Sequence, residues 1–164
     1  MTASFYFQSV TYIDNNKVAK RFFAQRAQVL SIVEANKAYA DPPDLQFVPA
    51  DYEKSLPLPD CGFDLLLSLY AGFVSAPCKS YLAHGGILVA NDSHGDSSLA
   101  HLDPDYELVG ALTGRGDRLH FTDSGLADYF EPRGLVAPSE ATIRERQRGP
   151  GYTKTAPAYV FRRL

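Results

Sequence analysis

The sequence predicts an α/β fold with a mainly parallel sheet and helices on both faces. Strand-like and helix-like segments alternate up to Ala90, which is the order of βαβ units. The run from Phe63 to Leu69 is apolar after Asp64, as expected for a parallel strand covered on both faces. The chain has 164 residues, 45% hydrophobic and 21% charged, which predicts a single globular domain over 1–164.

The first part of the chain is expected to form two strands and a helix. Residues 4–13 are rich in aromatic and β-branched side chains and form the first predicted strand. Asp14 and the two asparagines after it are good helix N-caps, and apolar side chains at helical spacing predict a helix over 17–39. Asp-Pro-Pro ends this helix, and the second strand is expected over 45–49.

Shorter elements are expected in the rest of the chain. A helix over 75–84 has Pro77 near its first turn and is ended by Gly85 and Gly86. Residues 133–152 are polar and contain glycine, and the alternation of elements loosens there. The remaining predicted elements are strands over 63–69, 87–90, 106–112, 119–122 and 158–162, and a brief helix over 124–130.

Polar residues follow several of these strands, at the edge of the sheet where ligands of open parallel sheets bind. Asp14 can accept hydrogen bonds from both hydroxyls of a ribose. Asp51 can accept from an exocyclic amine while Tyr52 or Leu69 covers a ring face. These residues suit a nucleoside, and the alternative for each aspartate is the capping of a helix or turn.

The same segments resemble the class I S-adenosylmethionine-dependent methyltransferases. The resemblance rests on Asp14 after a strand, on FVPADYEKSLPLPDCGFDLLLSLYAG, and on YLAHGGILVAND. It implies ribose at Asp14, adenine beside Asp51 and the methionine end of the cofactor at the exit of the third strand. It also implies that the last strand is antiparallel, and the closing AYVFRR matches that strand. The implied S-adenosylmethionine-binding residues are Asp14, Asn15, Ala50, Asp51, Tyr52, Ser68 and Leu69.

One part of the family pattern is missing. No GxGxG turn precedes Asp14, so the first βα unit of the Rossmann-like sheet is expected to be missing and the domain to be incomplete at its N-terminus. In the family that strand lies in the middle of the sheet, and its loss leaves two apolar edges. Either the strands over 4–13 and 63–69 pair directly, or another chain fills the place, or the sequence is truncated. We therefore expect a homo-oligomer or a partner chain that completes the sheet.

The resemblance also implies an acceptor site. Methyl transfer needs an acceptor held in line with the methyl group more than it needs acid or base catalysis. Tyr70, Asp92 and His94 are the expected substrate-binding residues, the acceptor is expected to be a small molecule, and no residue is assigned as catalytic. The alternative is a methyltransferase-like fold that has lost its cofactor and acts as a binding or dimerisation module.

Other classes of function find less support in the sequence. No apolar run approaches the ~20 residues of a membrane span, and no signal peptide is evident, so a cytoplasmic protein without a membrane partner is expected. Cys61, Cys78 and the four histidines lack metal-binding spacing. Residues 132–164 carry seven basic side chains, but no interleaved aromatic platform favours nucleic acid.

Overall fold

The computed structural model describes residues 1–116, 118–134 and 137–164. Within them the strands form two sheets, and the chain divides into two compact units, Met1–Leu56 and Pro57–Leu164. The fold is mixed α/β, as the sequence predicts. That both units belong to one domain stays a prediction.

The first unit is a two-stranded parallel sheet covered by two helices. β1 (Ser9–Ile13) pairs in parallel with β2 (Asp44–Val48), and α1 (Lys17–Ala24) and α2 (Arg26–Asn36) connect them. Val29, Val33 and Leu45 form the buried core. The aromatic rings of Phe23 and Phe47 stack on each other beside this core, with centroids 4.5 Å apart.

Two expectations for the first unit are corrected. The first strand does not begin at residue 4, because Thr2–Phe5 forms a 3₁₀ helix. The single helix expected over 17–39 is two helices, because the backbone at Gln25 leaves helical geometry with ψ of 55°. Helical spacing continues through the break in the sequence, so the pattern gives no sign of it.

The second unit contains a five-stranded sheet, in the spatial order β3-β4-β7-β5-β6. Its strands are β3 (Phe63–Ser68), β4 (Leu82–Ala90), β5 (Tyr106–Arg115), β6 (Arg118–Thr122) and β7 (Ala158–Arg163). α3 (Asp96–Leu102) packs against β5 and β7 and also contacts α4 (Glu140–Arg146). Two 3₁₀ helices, Lys79–Tyr81 and Leu126–Asp128, complete the described elements of this unit.

The expectation of mainly parallel pairing is corrected in this sheet. β3 and β4 are parallel, but the other three neighbouring pairs are antiparallel. The cause is β7, which runs between β4 and β5 in the opposite direction to both. β3, β4 and β5 therefore still share one direction, although β5 is not adjacent to the other two.

The third predicted strand is not covered on both faces. Among the described strands β3 pairs only with β4, so it is an edge strand, and Leu67 is 42% exposed. β1 and β3 also belong to different sheets, so their direct pairing does not occur among the described residues. An unpaired edge, rather than a central position, is the observed environment of this apolar run.

Gly85 and Gly86 do not end a helix. The helix expected over 75–84 is replaced by the 3₁₀ helix Lys79–Tyr81, and β4 already begins at Leu82. Phe63 pairs with Leu82 but Leu65 pairs with Ile87, so β4 bulges between these two pairs. Gly85 lies in the bulge and has a φ of +79°. A glycine pair suits such a bulge as well as it suits a helix end.

The core of the second unit lies on one face of its sheet. It is built from Leu88, Phe161 and Tyr159 on the strands and from Tyr129 and Phe130 in the loop between β6 and α4. Phe161 is fully buried, and its ring centroid lies 6.0 Å from that of Phe130. α3 and α4 were not predicted, because both are short and polar.

Replacing Phe161 by alanine tests this core. We expect Phe161→Ala to lower the free energy of unfolding by about 3–5 kcal/mol, because a fully buried ring is lost and a cavity remains. Phe121→Ala is the matched control, since Phe121 is 59% exposed, and we expect a loss below about 1.5 kcal/mol. Urea denaturation followed by circular dichroism measures both, and equal losses would contradict the assigned core.

Candidate functional site

The carboxyl edge of the first unit's sheet gathers five of the predicted cofactor-binding residues. Ile13 pairs with Val48 in the parallel register, so the residues after each strand leave at the same edge. Asp14 is held there by its amide, which donates to the carbonyl of Val48 at 3.3 Å. The residues at this edge are Asp14 and Asn15 after β1, and Ala50, Asp51 and Tyr52 after β2.

Both aspartates also build their own turns. The Asp14 Oδ1 accepts from the amide of Asn16 at 2.7 Å, and the Asn16 Oδ1 accepts from the amide of Val18 and caps α1. The Asp51 Oδ1 accepts from the amide of Glu53 at 3.1 Å. Each turn uses one oxygen, and an ionised carboxylate offers two. Asp14 is exposed, which makes it the more accessible of the two acids.

A cavity of about 510 Å³ opens beside Asp14, a volume typical of small-molecule sites. Its walls are mostly apolar and include three aromatic rings, while the carboxylate of Asp14 is the one acidic group among the lining residues. Asp51 does not line it. The lining residues are Met1, Tyr12, Ile13, Asp14, Asn16, Val18, Ala19, Phe22 and Phe23.

The carboxyl edge of the β3–β4 pair gathers the other predicted residues. Ser68 pairs with Ala90, and the amide of Asn91 donates to the carbonyl of Ser68 at 3.2 Å. Leu69 and Tyr70 therefore leave β3 at the edge where Asp92 and His94 follow β4. Within the second unit the structure brings the predicted acceptor residues to one edge.

Ser68 does not present its hydroxyl to solvent. The side chain is 1% exposed, and its Oγ donates to the Oδ2 of Asp96 at 2.5 Å. Asp96 is equally buried and accepts two further bonds from Ser75, at 3.0 Å from the amide and at 2.6 Å from Oγ. Neither Asp96 nor Ser75 is among the predicted site residues, although Asp96 belongs to the polar run after the fourth predicted strand.

Asp92 is also engaged within the protein. Its Oδ1 accepts from the Ser97 hydroxyl at 2.9 Å and from the Ser98 amide and hydroxyl at 3.1 and 2.7 Å. Burial raises the pKa of the Asp92 carboxyl, and the serine donors oppose the rise. Gly149 packs against it so closely that a Cβ there would lie 1.9 Å from Oδ2. Through these contacts Asp92 holds the first turn of α3 in place.

Tyr70 has the most unusual backbone at this edge. Its φ is +61°, a region that L-residues with large side chains seldom adopt, and its side chain is 76% exposed. The Tyr70 amide donates to the Oδ1 of buried Asn91 at 3.2 Å, and that oxygen also accepts from Ser93. Strained, exposed residues held by their surroundings cluster at functional sites.

His94 is exposed, and its Nδ1 lies 3.1 Å from the Ser93 hydroxyl. Of the predicted residues at this edge, Leu69, Tyr70 and His94 are the exposed ones. Among the described residues no group of three or more His, Cys, Asp or Glu side chains has the arrangement of a metal site.

The comparisons with protein families, curated proteins and solved structures give no match to this chain. In the part of the chain that the structure describes, every helix is too short or too polar to cross a membrane.

Glycine substitution tests the strain at Tyr70. We expect Tyr70→Gly to be more stable than Tyr70→Ala by about 0.5–1 kcal/mol, because relief of the left-handed conformation outweighs the entropy of glycine in the unfolded chain. Leu69 has an ordinary negative φ, so Leu69→Gly should be less stable than Leu69→Ala. Urea denaturation of the four variants measures the sign, and the same sign at both positions would contradict the strain.

Proposed function

We propose that this chain is an S-adenosylmethionine-dependent methyltransferase of a small molecule, whose first unit binds the nucleoside part of the cofactor. The observation that carries the proposal is the placement of Asp14. This exposed carboxylate ends a parallel strand and lines a cavity with aromatic walls. A carboxylate in that position suits the two hydroxyls of a ribose.

The nucleoside part fits the first unit. A purine ring in the cavity would contact aromatic and aliphatic side chains, such as those of Phe22 and Val18. The Asp14 Oδ1 already holds the α1 start, and the second oxygen can accept from a ligand without disturbing that turn. Asp51, at the same sheet edge, is the predicted acceptor for an exocyclic amine.

The amino-acid part does not fit the first unit. Residues 1–56 contain no glycine, so no turn there allows the close backbone approach that a glycine-rich loop provides. The described lining of the cavity also includes no lysine or arginine for a carboxylate. The part of the cofactor that the first unit can hold is therefore the nucleoside.

The strand arrangement of the second unit supports the Rossmann-like part of the proposal. β7 lies between β4 and β5 and runs antiparallel to both, in agreement with the antiparallel last strand that the resemblance implies. β3, β4 and β5 share one direction, and their parallel pair opens on the Tyr70 edge. Tyr70 and His94 remain the proposed acceptor-binding residues, whereas the carboxylate of Asp92 is engaged by Ser97 and Ser98.

Replacing Asp14 by asparagine tests the nucleoside site. The amide oxygen of asparagine can keep the turn with Asn16, but the negative charge is lost, so we expect S-adenosylhomocysteine to bind about 10- to 100-fold more weakly. Isothermal titration calorimetry of the wild type and Asp14→Asn measures the change.

The matched control is Asp41→Asn. Asp41 is exposed and lies just before β2, at the end of the strand remote from the proposed site. We expect its affinity to equal that of the wild type. Failure of the wild type to bind at millimolar ligand, or equal affinity of Asp14→Asn and the wild type, would contradict nucleoside binding at Asp14.

A second candidate function is a binding or dimerisation module without a cofactor. The observation that favours it is the unpaired edge of β3, where Leu67 and Leu69 are 42% and 44% exposed. An apolar edge strand without a lysine or proline is a template for another chain.

This second candidate predicts self-association. We expect the wild type to form dimers at low micromolar concentration and Leu67→Lys to be monomeric, because a charge beside the edge opposes burial. Leu119→Lys tests the other edge strand of the sheet, β6, where Leu119 is 47% exposed, and we expect it to stay dimeric if the β3 edge is the one that pairs. Light scattering measures the mass, and a monomeric wild type would contradict self-association.

A further inference from the structure

The segment between Ser68 and Ser75 is fastened at both ends to one buried carboxylate. Asp96 accepts from the Ser68 hydroxyl at the end of β3 and from the Ser75 amide and hydroxyl at the far end of the loop. Its side chain is 1% exposed. A single side chain thus closes the loop 69–74, which we call the β3 exit loop.

The bonds to Asp96 are provided by neutral donors. Among the described residues, the ion pairs involve other carboxylates, such as Asp103 with Lys79, and none involves Asp96. Burying a carboxylate costs free energy, and hydrogen bonds from hydroxyl and amide groups must offset that cost. Asp96 therefore holds the exit loop at a cost in free energy. A surface loop without a function would not need a buried carboxylate to hold it.

A second contact fixes the middle of the same loop. The Tyr70 amide is bonded to the side chain of Asn91, which follows β4 and is 5% exposed. The Asn91 carbonyl accepts in turn from the Ser97 amide in the first turn of α3 at 3.4 Å. The strained backbone of Tyr70 is thereby tied to the same short helix that carries Asp96.

We propose that Asp96 is the positioning residue of a preformed recognition loop, in which Tyr70 is the residue that contacts the ligand. The ligand class is a small planar aromatic molecule, because the loop presents an exposed phenol ring next to the exposed Leu69. Fixing the loop before binding reduces the entropy lost on binding. That this ligand is the methyl acceptor rests on the proposed function, but the clamping of the loop does not.

Hydrogen exchange of the ligand-free protein tests the clamp. Asp96→Asn removes the negative charge and one of the two oxygens that accept from Ser68 and Ser75, so we expect amides 69–75 to exchange about tenfold faster while the β4 and β7 amides keep their protection. Asp103→Asn is the matched control, since Asp103 lies at the other end of α3 and is bonded to Lys79. Ser75→Ala removes the hydroxyl but keeps the hydrogen bond from the backbone amide of residue 75 to Asp96, so we expect an intermediate rate of hydrogen exchange. This variant also tests the clamp if Asp96→Asn fails to fold.

Binding of a probe tests recognition. We expect indole at millimolar concentration to shift the Tyr70 amide resonance in the wild type and in Asp103→Asn, with about tenfold weaker binding in Asp96→Asn or Ser75→Ala. Unchanged exchange of the loop in the variants would overturn the clamp, and absence of a Tyr70 shift in the wild type would overturn recognition. Titration with S-adenosylhomocysteine is independent of both results, so failure of the proposed function is distinguished from failure of this proposal.

Discussion

Parallel pairing of β1 with β2 and of β3 with β4 is the constraint on which the candidate sites depend. In a parallel pair both strands leave the sheet at the same edge, so the residues after them are brought together by register alone. Ile13 opposite Val48 places Asp14 and Asp51 at one edge, and Ser68 opposite Ala90 does the same for Tyr70 and His94. An antiparallel arrangement of either pair would separate these residues by the length of a strand.

Burial decides which acidic residues at these edges are open to a ligand. Asp92 and Asp96 sit among hydroxyl and amide donors and hold α3 and the exit loop. Asp14 and Asp51 each give one oxygen to a turn, and Asp14 stays exposed beside a cavity. The same residue type therefore serves as internal anchor in one unit and as proposed ligand contact in the other.

Local patterns predicted much of the fold. Strands β2, β3, β5, β6 and β7 follow from runs of apolar and β-branched side chains. The parallel pairing of the Phe63 run agrees with the prediction, but the burial on both faces that its lack of alternation predicts is wrong, because β3 is an edge strand. The bulge at Gly85 was mistaken for a helix end, because a left-handed glycine serves both. The break at Gln25 has no signal in a sequence whose apolar spacing continues through it.

Long-range contacts could not be predicted from these patterns. The sequence places Ser68 at a strand exit, but its hydroxyl points inward because it is hydrogen-bonded to Asp96. Asp96 lies 28 residues later in the chain, so this contact has no local signal in the sequence. Tyr70 likewise has a positive φ, and its amide is hydrogen-bonded to Asn91, which follows the neighbouring strand 21 residues later. Residue type and spacing predict that these residues follow strands, but the single sheet edge that the sequence predicts is two edges, because the strands belong to two sheets. The direction of each side chain at these edges depends on tertiary structure.

The most direct measurement is the mapping of amide resonances of the ¹⁵N-labelled protein during titration with adenosine. Nucleoside binding by the first unit predicts saturable shifts at residues 14–16 and 50–52 together with the cavity-lining residues Val18 and Phe22. The amides at the opposite end of the β1–β2 pair, near Ser9 and Asp44, should keep their positions. Shifts confined to that opposite end, or the absence of saturable shifts at millimolar adenosine, would contradict a nucleoside site at Asp14.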